Sequence, residues 1–290
     1  MPKHWLLAAR PKTLLAGFAP VAVGASLAAM DDGFHALAVV AALAGAMCIQ
    51  IGTNFANDYF DFKQGADTDD RKGPTRAVQA GLISPRSMLM ATVVMFAALA
   101  VICVYLVARA GWPIIVIGIL STLFGVMYTA GRYSLAYLGL ADLFVLVFFG
   151  PVAVAGTYYV QTLTVKPGVI VAGLATGLLS MALLVVNNLR DIDEDAVAKK
   201  RTLAVRFGAT FVRWEYTICV VAAAAIPLVL WMLYGMPASV MLAAAVIVPG
   251  AILIRKVWNT DGVALNPVLG MTAGLLLLYA ALFCVGCILA

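Results

Sequence analysis

Long apolar segments recur along the whole chain, and this feature most constrains the fold. Nine segments are each close to or above the roughly 20 residues that an α-helix needs to cross a bilayer. They cover residues 13–30, 34–60, 84–108, 112–129, 135–160, 168–189, 211–234, 237–254 and 267–290. Charged residues make up only 11% of the chain, against roughly 25% in soluble domains. Because barrel strands alternate and give no continuous apolar runs, the sequence predicts an all-α polytopic membrane protein with nine transmembrane helices.

The distribution of lysine and arginine predicts how these helices are oriented. With the N-terminus in the cytoplasm and the C-terminus outside, only Arg109 and Lys166 of the 19 basic residues fall on the outer side. An excess of positive charge on the cytoplasmic side is the usual pattern of helical membrane proteins. The net charge of +5 therefore reflects topology. It indicates no nucleic-acid partner, since no basic run is interleaved with aromatic residues.

Two polar segments interrupt the apolar pattern, and both lie on the predicted cytoplasmic side. The first polar segment covers residues 54–78 and the second covers residues 187–206. Each follows a long apolar segment, and each has a similar tetrapeptide near its end, TRAV in the first and TLAV in the second. A single segment of this kind is equally well explained as a solvated loop. Two with the same internal order indicate a weak internal repeat and favour a functional site.

Acidic and amide side chains in both polar segments have the spacing of one helical face. The spacing of four residues relates Asn57 to Asp61, Asn54 to Asp58, and Asn187 to Asp191 and Asp195. Hard oxygen ligands of this kind suit Mg²⁺, which also accepts phosphate oxygens from a substrate. Cations that suit phosphate follow both clusters: Lys63, Arg71, Lys72 and Arg76, then Arg190, Lys199, Lys200, Arg201 and Arg206. The residues therefore predict a magnesium diphosphate site.

The two polar segments resemble the aspartate-rich motifs of the UbiA-type intramembrane prenyltransferases. The stretches that carry the resemblance are NDYFDFKQGADTDDRKGPTRAV and NNLRDIDEDAVAKKRTLAVRFG, with RPKT at residues 10–13. Within the family, GPTRAV, NNLRDI and KRTLAVRFG look most like the branch that prenylates 1,4-dihydroxy-2-naphthoate in menaquinone synthesis. The resemblance implies one domain over residues 1–290, with nine helices around a central cavity and Asp-rich cytoplasmic loops at about 57–83 and 187–210.

The resemblance also implies an activity. This is Mg²⁺-dependent transfer of a polyprenyl group from polyprenyl diphosphate to 1,4-dihydroxy-2-naphthoate, with loss of the ring carboxylate. The expected location is the cytoplasmic (inner) membrane of a bacterium, with the lipid bilayer around the protein and the active site facing the cytoplasm.

The same resemblance implies roles for particular residues. The family's metal ligands fall on Asn57, Asp61, Asp191 and Asp195, with Asn187 one turn earlier as a catalytic candidate. Many relatives carry a third acid where this chain has Gly65, so Asp58, Asp67, Asp69 and Asp70 stay open as further candidates. The residues expected to bind diphosphate are Lys63, Arg71, Arg76, Arg190, Lys200 and Arg201.

The carboxylate of a naphthoate acceptor needs a cation that the diphosphate does not use. Arg10 and Lys12 precede the first helix, outside both polar segments, although they suit a purely topological role equally well. Asp142 lies in an apolar segment, where a carboxylate must face a cavity or a partner unless the membrane surface wets it. Tyr128 and Arg132 belong to the short loop before it, which is on the cytoplasmic side and could cover the site.

Other functions fit parts of the pattern. A prenyltransferase for 4-hydroxybenzoate, homogentisate or a porphyrin would carry the same polar segments. A transporter would also use a repeat and an intramembrane carboxylate, but repeat-built carriers place polar sites near the bilayer midplane rather than at one face. A non-catalytic binder of lipid diphosphates would have to keep a bound allylic diphosphate from ionising.

Overall fold

The computed structural model describes residues 2–64, 73, 75–128 and 134–290, and these residues form helices and turns without a strand. Eight helical segments are long and apolar enough to cross a membrane. They are Pro11–Met30, Ala36–Gln64, Pro85–Ala110, Ala141–Thr162, Pro167–Arg190, Leu203–Tyr234, Ala238–Trp258 and Gly262–Ile288. A further apolar helix, Pro113–Met127, is shorter. The predicted all-helical membrane fold is confirmed, and within the described residues the nine apolar segments form eight full spans and one short helix.

The α-helices are numbered in chain order. They are α1 (Pro2–Ala9), α2 (Pro11–Met30), α3 (Ala36–Gln64), α4 (Pro85–Ala110), α5 (Pro113–Met127), α6 (Leu135–Leu138), α7 (Ala141–Val147), α8 (Ala153–Thr162), α9 (Pro167–Arg190), α10 (Ile192–Val197), α11 (Leu203–Tyr234), α12 (Ile247–Trp258) and α13 (Leu265–Ile288). A π-helical turn joins α7 to α8 at Phe148–Val152, and 3₁₀ segments precede α12 at Ala238–Val246 and α13 at Gly262–Ala264.

Capping explains where two helices that follow the polar segments begin. Ser84 accepts a hydrogen bond from the Ser87 N–H at 3.1 Å at the start of α4, where Pro85 occupies the first turn. Thr202 accepts a hydrogen bond from the Val205 N–H at 3.3 Å at the start of α11. The threonine of TLAV is therefore a helix cap that begins α11 directly after the charged residues of the second polar segment.

Two predicted spans differ from the structure in detail. Residues 112–129 are predicted to cross the bilayer, but α5 has only 15 residues. At about 1.5 Å per residue it covers less than the ~30 Å of hydrocarbon. Residues 135–160 are predicted as one helix, but Gly139 adopts a left-handed backbone with φ 71°, and Pro151 lies in the π-helical turn. Because proline has no N–H to continue the helical hydrogen bonds, the chain bends at this point.

The π-helical turn packs against α9 through backbone contacts. A Cβ added at Gly177 would overlap the Leu146 carbonyl oxygen and would lie 3.0 Å from the Gly150 Cα. Thr176 donates a hydrogen bond to the Phe149 carbonyl oxygen at 3.0 Å, which satisfies a carbonyl at the bend. Small residues allow two membrane helices to approach this closely. The contact fixes the bend and thereby the wall that α7 and α8 form.

Arg109 and Lys166, the two basic residues assigned to the outer side, lie at the same end of the bundle. Arg109 donates hydrogen bonds to the carbonyl oxygens of Val160 and Gln161, from Nε at 2.6 Å and from NH2 at 2.9 Å. Lys166 forms an ion pair with Asp31, with 2.7 Å between Nζ and Oδ1. These contacts join α2, α4, α8 and α9 at the end opposite the second polar segment, since α9 runs from one end to the other.

Candidate active site

Both polar segments line one cavity at one end of the helix bundle. This polar cavity has a volume of about 370 Å³. The predicted site residues that line it are Arg10, Lys12, Asn57, Asp58, Asp61, Arg76, Tyr128, Asn187, Arg190, Asp191, Asp195 and Lys200. The structure therefore brings together the acids and amides that the sequence spacing singled out.

Other predicted site residues lie elsewhere. Lys63 and Arg201 are exposed and do not line the polar cavity. Asp142 is buried near it without lining it. Asp67, Asp69, Asp70, Arg71, Lys72 and Arg132 lie outside the described residues. The proposed roles of all these residues stay predictions.

The helices give the acids and amides the predicted common faces. α3 continues through the first polar segment to Gln64, so Asn57 and Asp61 share a face. α9 ends one residue before Asp191, but the Asp195 N–H donates a hydrogen bond to the Asp191 carbonyl oxygen at 2.8 Å, which continues the helical path into α10. Asp191 and Asp195 of the second polar segment therefore also line the polar cavity.

Each acid expected to bind metal forms an ion pair with a cation of its own segment. The pairs are Arg76 with Asp61, Arg190 with Asp191, and Lys200 with Asp195, at N–O distances of 2.5, 2.6 and 3.5 Å. Arg190 donates to both oxygens of Asp191, and also to the Asn187 Oδ1 at 2.7 Å and the Asn266 Oδ1 at 2.9 Å. The cations expected to bind diphosphate thus lie directly beside the carboxylates and neutralise them.

Asp58, a further ligand candidate, supports the backbone that follows the first polar loop. Its Oδ2 accepts a hydrogen bond from the Ala77 N–H at 3.0 Å, and its Oδ1 accepts one from the Val78 N–H at 3.3 Å. Hydrogen bonds from backbone N–H groups to a carboxylate are stronger than neutral ones. Asp58 therefore fixes the TRAV stretch next to Asp61, and a metal role for it remains a prediction.

Arg10 lies at a sharp elbow between α1 and α2. Its backbone is left-handed, with φ 52°, which is uncommon for a residue with a Cβ. Asn54 donates hydrogen bonds to the Ala9 carbonyl oxygen at 2.9 Å and to the Thr13 Oγ1 at 3.1 Å, and Thr13 donates to the Arg10 carbonyl oxygen at 2.9 Å. The spacing of four residues placed Asn54 on one helical face with Asp58, but the contacts of Asn54 show that it stabilises the elbow between α1 and α2.

An apolar cavity of about 330 Å³ adjoins the polar cavity. Residues from α2, α3, α4, α5, α7, α8 and α9 line it, and three phenylalanines border it where α5 faces α7. The Phe124 ring lies 4.4 Å from the Phe144 ring and 5.4 Å from the Phe148 ring, measured between centroids. The residues that line both cavities are Arg10, Thr13, Asn57, Tyr128, Asn187 and Leu269. The site therefore joins a charged chamber to an apolar one.

Tyr128 lies where the two cavities meet, just beyond the end of α5. Burial raises the pKa of its phenol, and the carboxylates of Asp142, Asp195 and Asp61 raise it further, against a smaller lowering by Arg10. Each of these carboxylates disfavours a second negative charge nearby. Tyr128 is therefore a neutral hydroxyl at neutral pH and can donate a hydrogen bond into the site.

Asn266 and Glu194 are among the polar residues of the site that sequence reasoning missed. Asn266 precedes α13's proline and accepts a hydrogen bond from Arg190, and Glu194 lines the polar cavity beside the predicted acids. The signal for Asn266 was its position as a polar residue at the predicted cytoplasmic start of the last apolar segment. The signal for Glu194 was weaker, because it falls outside the four-residue spacing.

The donor set suits a divalent metal that binds together with a diphosphate. Among the residues that the structure describes, no three histidine, cysteine or acidic side chains lie close enough to hold a metal by themselves. The polar cavity nevertheless collects amide and carboxylate oxygens from Asn57, Asp61, Asp191 and Asp195. Mg²⁺ usually binds proteins through one or two carboxylates and completes its coordination with waters and substrate phosphates. These residues fit that mode of binding.

The fold and the two cavities define a polytopic membrane protein whose charged site opens into an apolar chamber between the helices. Its sequence matches the family described as the UbiA prenyltransferase family over residues 17–268. The chain belongs to this family, and the resemblance seen in its polar segments is confirmed.

Similar proteins share most of this chain's length. The 1,4-dihydroxy-2-naphthoate octaprenyltransferase of Escherichia coli (strain K12) is 38% identical over 294 residues, which cover 97% of this chain and 94% of that protein. The protein of the same name from Mycobacterium tuberculosis (strain ATCC 25618 / H37Rv) is 40% identical over 241 residues, covering 81% and 82%. The solved structure of a UbiA homologue from Archaeoglobus fulgidus bound to GPP and Mg²⁺ has the same fold, with a TM-score of 0.65 and 16% identity over 97% of this chain and 99% of that one.

Proposed function

We propose that this protein transfers a polyprenyl group from polyprenyl diphosphate to 1,4-dihydroxy-2-naphthoate, with release of CO₂, to give demethylmenaquinone in its reduced, quinol form. The observation that carries the proposal is the junction of the two cavities at Asn57, Tyr128 and Asn187. A diphosphate head group suits the charged cavity and an isoprenoid chain suits the apolar one, so the reactive allylic carbon would lie at the junction. The names of the similar proteins support the naphthoate as acceptor.

The charged residues of the polar cavity would bind the diphosphate. A Mg²⁺ ion bound at Asn57, Asp61, Asp191 and Asp195 would supply positive charge that stabilises the leaving diphosphate. Arg76, Arg190 and Lys200 now neutralise three of these carboxylates. If these carboxylates held a metal, the three cations would be placed to bind phosphate oxygens, and arginine binds phosphate through two parallel hydrogen bonds.

The apolar cavity would protect the other product of ionisation. Breaking the allylic C–O bond leaves positive charge on the prenyl carbon, which water would capture before the ring could attack. The rings of Phe124, Phe144 and Phe148 line the cavity, and aromatic faces attract positive charge. These side chains would exclude water and stabilise the allylic carbon until the acceptor reaches it.

The direct test of the proposed function is the mass of the product. Purified protein in lipid would be given Mg²⁺, a polyprenyl diphosphate and, in separate reactions, 1,4-dihydroxy-2-naphthoate, its decarboxylated analogue or 4-hydroxybenzoate. The expected product is a prenylated naphthalenediol that has lost the carboxylate, with one CO₂ released per prenyl group transferred. A product that keeps its carboxylate, or a preference for 4-hydroxybenzoate, would contradict the assigned acceptor.

Arg10→Ala is expected to raise the KM for the naphthoate severalfold while leaving the KM for the prenyl diphosphate unchanged. Arg10 reaches both cavities from the elbow outside the two polar segments, so it is placed to bind the acceptor carboxylate. An interaction with one substrate alone changes the KM of that substrate alone. Steady-state kinetics with each substrate varied in turn measures this.

Lys3→Ala is the matched control, because Lys3 is an exposed cation of α1 that lines neither cavity. It should behave as wild type. If both variants change the two KM values equally, Arg10 has only a topological role and the carboxylate is bound by another cation.

We further propose that the polar cavity faces the cytoplasm and that the N-terminus lies on that side. The proposal rests on the charge asymmetry of the sequence together with the contacts of Arg109 and Lys166 at the opposite end of the bundle. A cysteine introduced at Lys166 should react with a membrane-impermeant reagent from outside, and one at the exposed Lys63 only from inside. The reverse pattern in sealed vesicles of known orientation would refute this topology.

A further inference from the structure

Asp142 is a buried carboxylate that the proposed binding of the two substrates does not use. Its side chain is 3% exposed, and within the described part of the chain neither carboxylate oxygen has a hydrogen-bond partner. Nearly all buried polar groups are paired, because burying an unpaired one is unfavourable. A lone carboxylate retained at this depth therefore indicates a partner that arrives with a substrate.

The position of Asp142 on α7 brings it beside the junction of the two cavities. Val145, three residues later on the same helical face, lines the apolar cavity, whereas the adjacent Leu143 is 56% exposed on the other face. Tyr128, which lines both cavities, lies close enough for the Asp142 charge to act on its phenol. Asp142 lines neither cavity, but its helix lines the apolar one near the junction, where the acceptor ring would meet the allylic carbon.

None of the ion pairs among the described residues includes Asp142. Arg206 contacts the turn before α7, where its NH2 donates to the Leu138 carbonyl oxygen at 2.6 Å. Glu215 is a further buried carboxylate on which the Asp142 charge acts, but it belongs to α11, which contributes no residue to either cavity. Of these two carboxylates, Asp142 is the one on a helix that lines the apolar cavity, the side from which a substrate hydroxyl would approach it.

We propose that Asp142 accepts the proton of the acceptor's ring hydroxyl during prenyl transfer and returns it afterwards. This inference rests on the proposed function, since it concerns the same acceptor. A positioned carboxylate that removes a proton in the transition state typically contributes a factor of about 10² to 10⁴ in rate.

The proposed step balances without any further reactant. As the hydroxyl proton moves to Asp142, the O–H electron pair enters the ring, and the ring carbon that carries the carboxylate bonds to the allylic carbon. The allylic C–O bond breaks and its electron pair leaves with the diphosphate. The bond from the ring to the carboxylate then breaks, CO₂ departs, and that electron pair restores the aromatic ring. Asp142 returns the proton to the ring oxygen, which gives the quinol.

The test compares Asp142→Asn with wild type on a series of ring-substituted naphthoates whose hydroxyl groups differ in acidity. With the parent acceptor, kcat should fall by about 100-fold, within the usual range for a lost general base. The loss should shrink as the hydroxyl becomes more acidic, because a more acidic hydroxyl needs less help to lose its proton. The affinity for prenyl diphosphate, measured separately by binding, should not change.

Asp193→Asn is the control, because it removes an exposed carboxylate of α10 that lines neither cavity, and it should keep the kcat of wild type. Asp142→Ala serves as a second variant, and thermal unfolding of all three proteins separates folding from chemistry. If Asp142→Asn keeps the kcat of wild type, or if its loss of kcat is the same across the acidity series, the inference about Asp142 is wrong. The proposed function would still stand. A wild-type protein that prenylates no naphthoate would overturn the proposed function as well.

Discussion

Asp61→Asn and Asp191→Asn should each lower the rate of prenyl transfer by more than tenfold, which corresponds to about 1.4 kcal/mol of barrier. Each substitution removes the charge of a proposed metal ligand and leaves the shape of the side chain nearly unchanged. The measurement is the initial rate of product formation by purified protein with Mg²⁺ present. Removal of divalent ions with an excess of chelator should have the same effect on wild type.

The ion pairs of the polar cavity determine which controls this experiment needs. Arg190 is 1% exposed and Arg76 is 8% exposed, so each substitution leaves a buried arginine without its carboxylate. Loss of one partner of a buried pair typically costs about 3–5 kcal/mol of stability. A double variant, Arg190→Gln with Asp191→Asn, leaves no such charge and should fold better than Asp191→Asn while remaining inactive.

Asp193→Asn is the control for activity, since Asp193 is an exposed acid of α10 that does not line the polar cavity. It should retain turnover. If a folded Asp191→Asn protein kept more than a tenth of wild-type activity, or if wild type worked in excess chelator, the metal-ligand assignment would be wrong.

Gly177→Ala should destabilise the protein by about 1–3 kcal/mol, the usual effect of adding a methyl group to a tightly packed contact. The new Cβ would overlap the Leu146 carbonyl oxygen, and a backbone atom cannot rotate away as a side chain can. Thermal unfolding in detergent, followed by the loss of monodisperse protein, measures the effect. We also expect reduced activity in the folded fraction, because the same contact fixes the wall of the apolar cavity.

Gly274→Ala is the matched substitution in α13, where an added Cβ meets no atom within 4 Å. It should unfold at or slightly above the wild-type temperature, since alanine favours a helix over glycine by up to about 1 kcal/mol. Equal melting temperatures for the two variants would show that α9 and the π-helical turn can move apart without loss of stability.

The sequence predicted the helices and the polar residues well because both depend on local patterns. Apolar length defines a membrane helix, and a spacing of four residues brings side chains such as Asn57 and Asp61 to one face wherever the helix continues. α3 does continue through the first polar segment. Both polar segments follow apolar segments that end on the same predicted side of the membrane, which is consistent with their convergence on one cavity.

The remaining features depend on contacts between distant parts of the chain, which no local pattern encodes. The elbow at Arg10 is held by Asn54 from α3, and Asn266 from α13 completes the surroundings of Arg190. The bend at Pro151 depends on the glycines of α9 that pack against it. Spacing alone could not tell that Asp58 binds backbone N–H groups while its neighbour Asp61 faces a cation.

The contacts at the end of the bundle opposite the polar cavity have a consequence for the energy supply of the cell. Leu106, Ile114 and Val160 belong to one buried apolar cluster that lines the apolar cavity, and Arg109 and Lys166 join helix ends at this end of the bundle. One elementary charge crossing a membrane potential of 100 mV releases about 2.3 kcal/mol. A chain that admits two anionic substrates between its helices would dissipate that potential if water reached through it. We therefore expect the apolar residues and polar contacts at this end to keep water from crossing the protein, so that synthesis within the membrane does not discharge the potential.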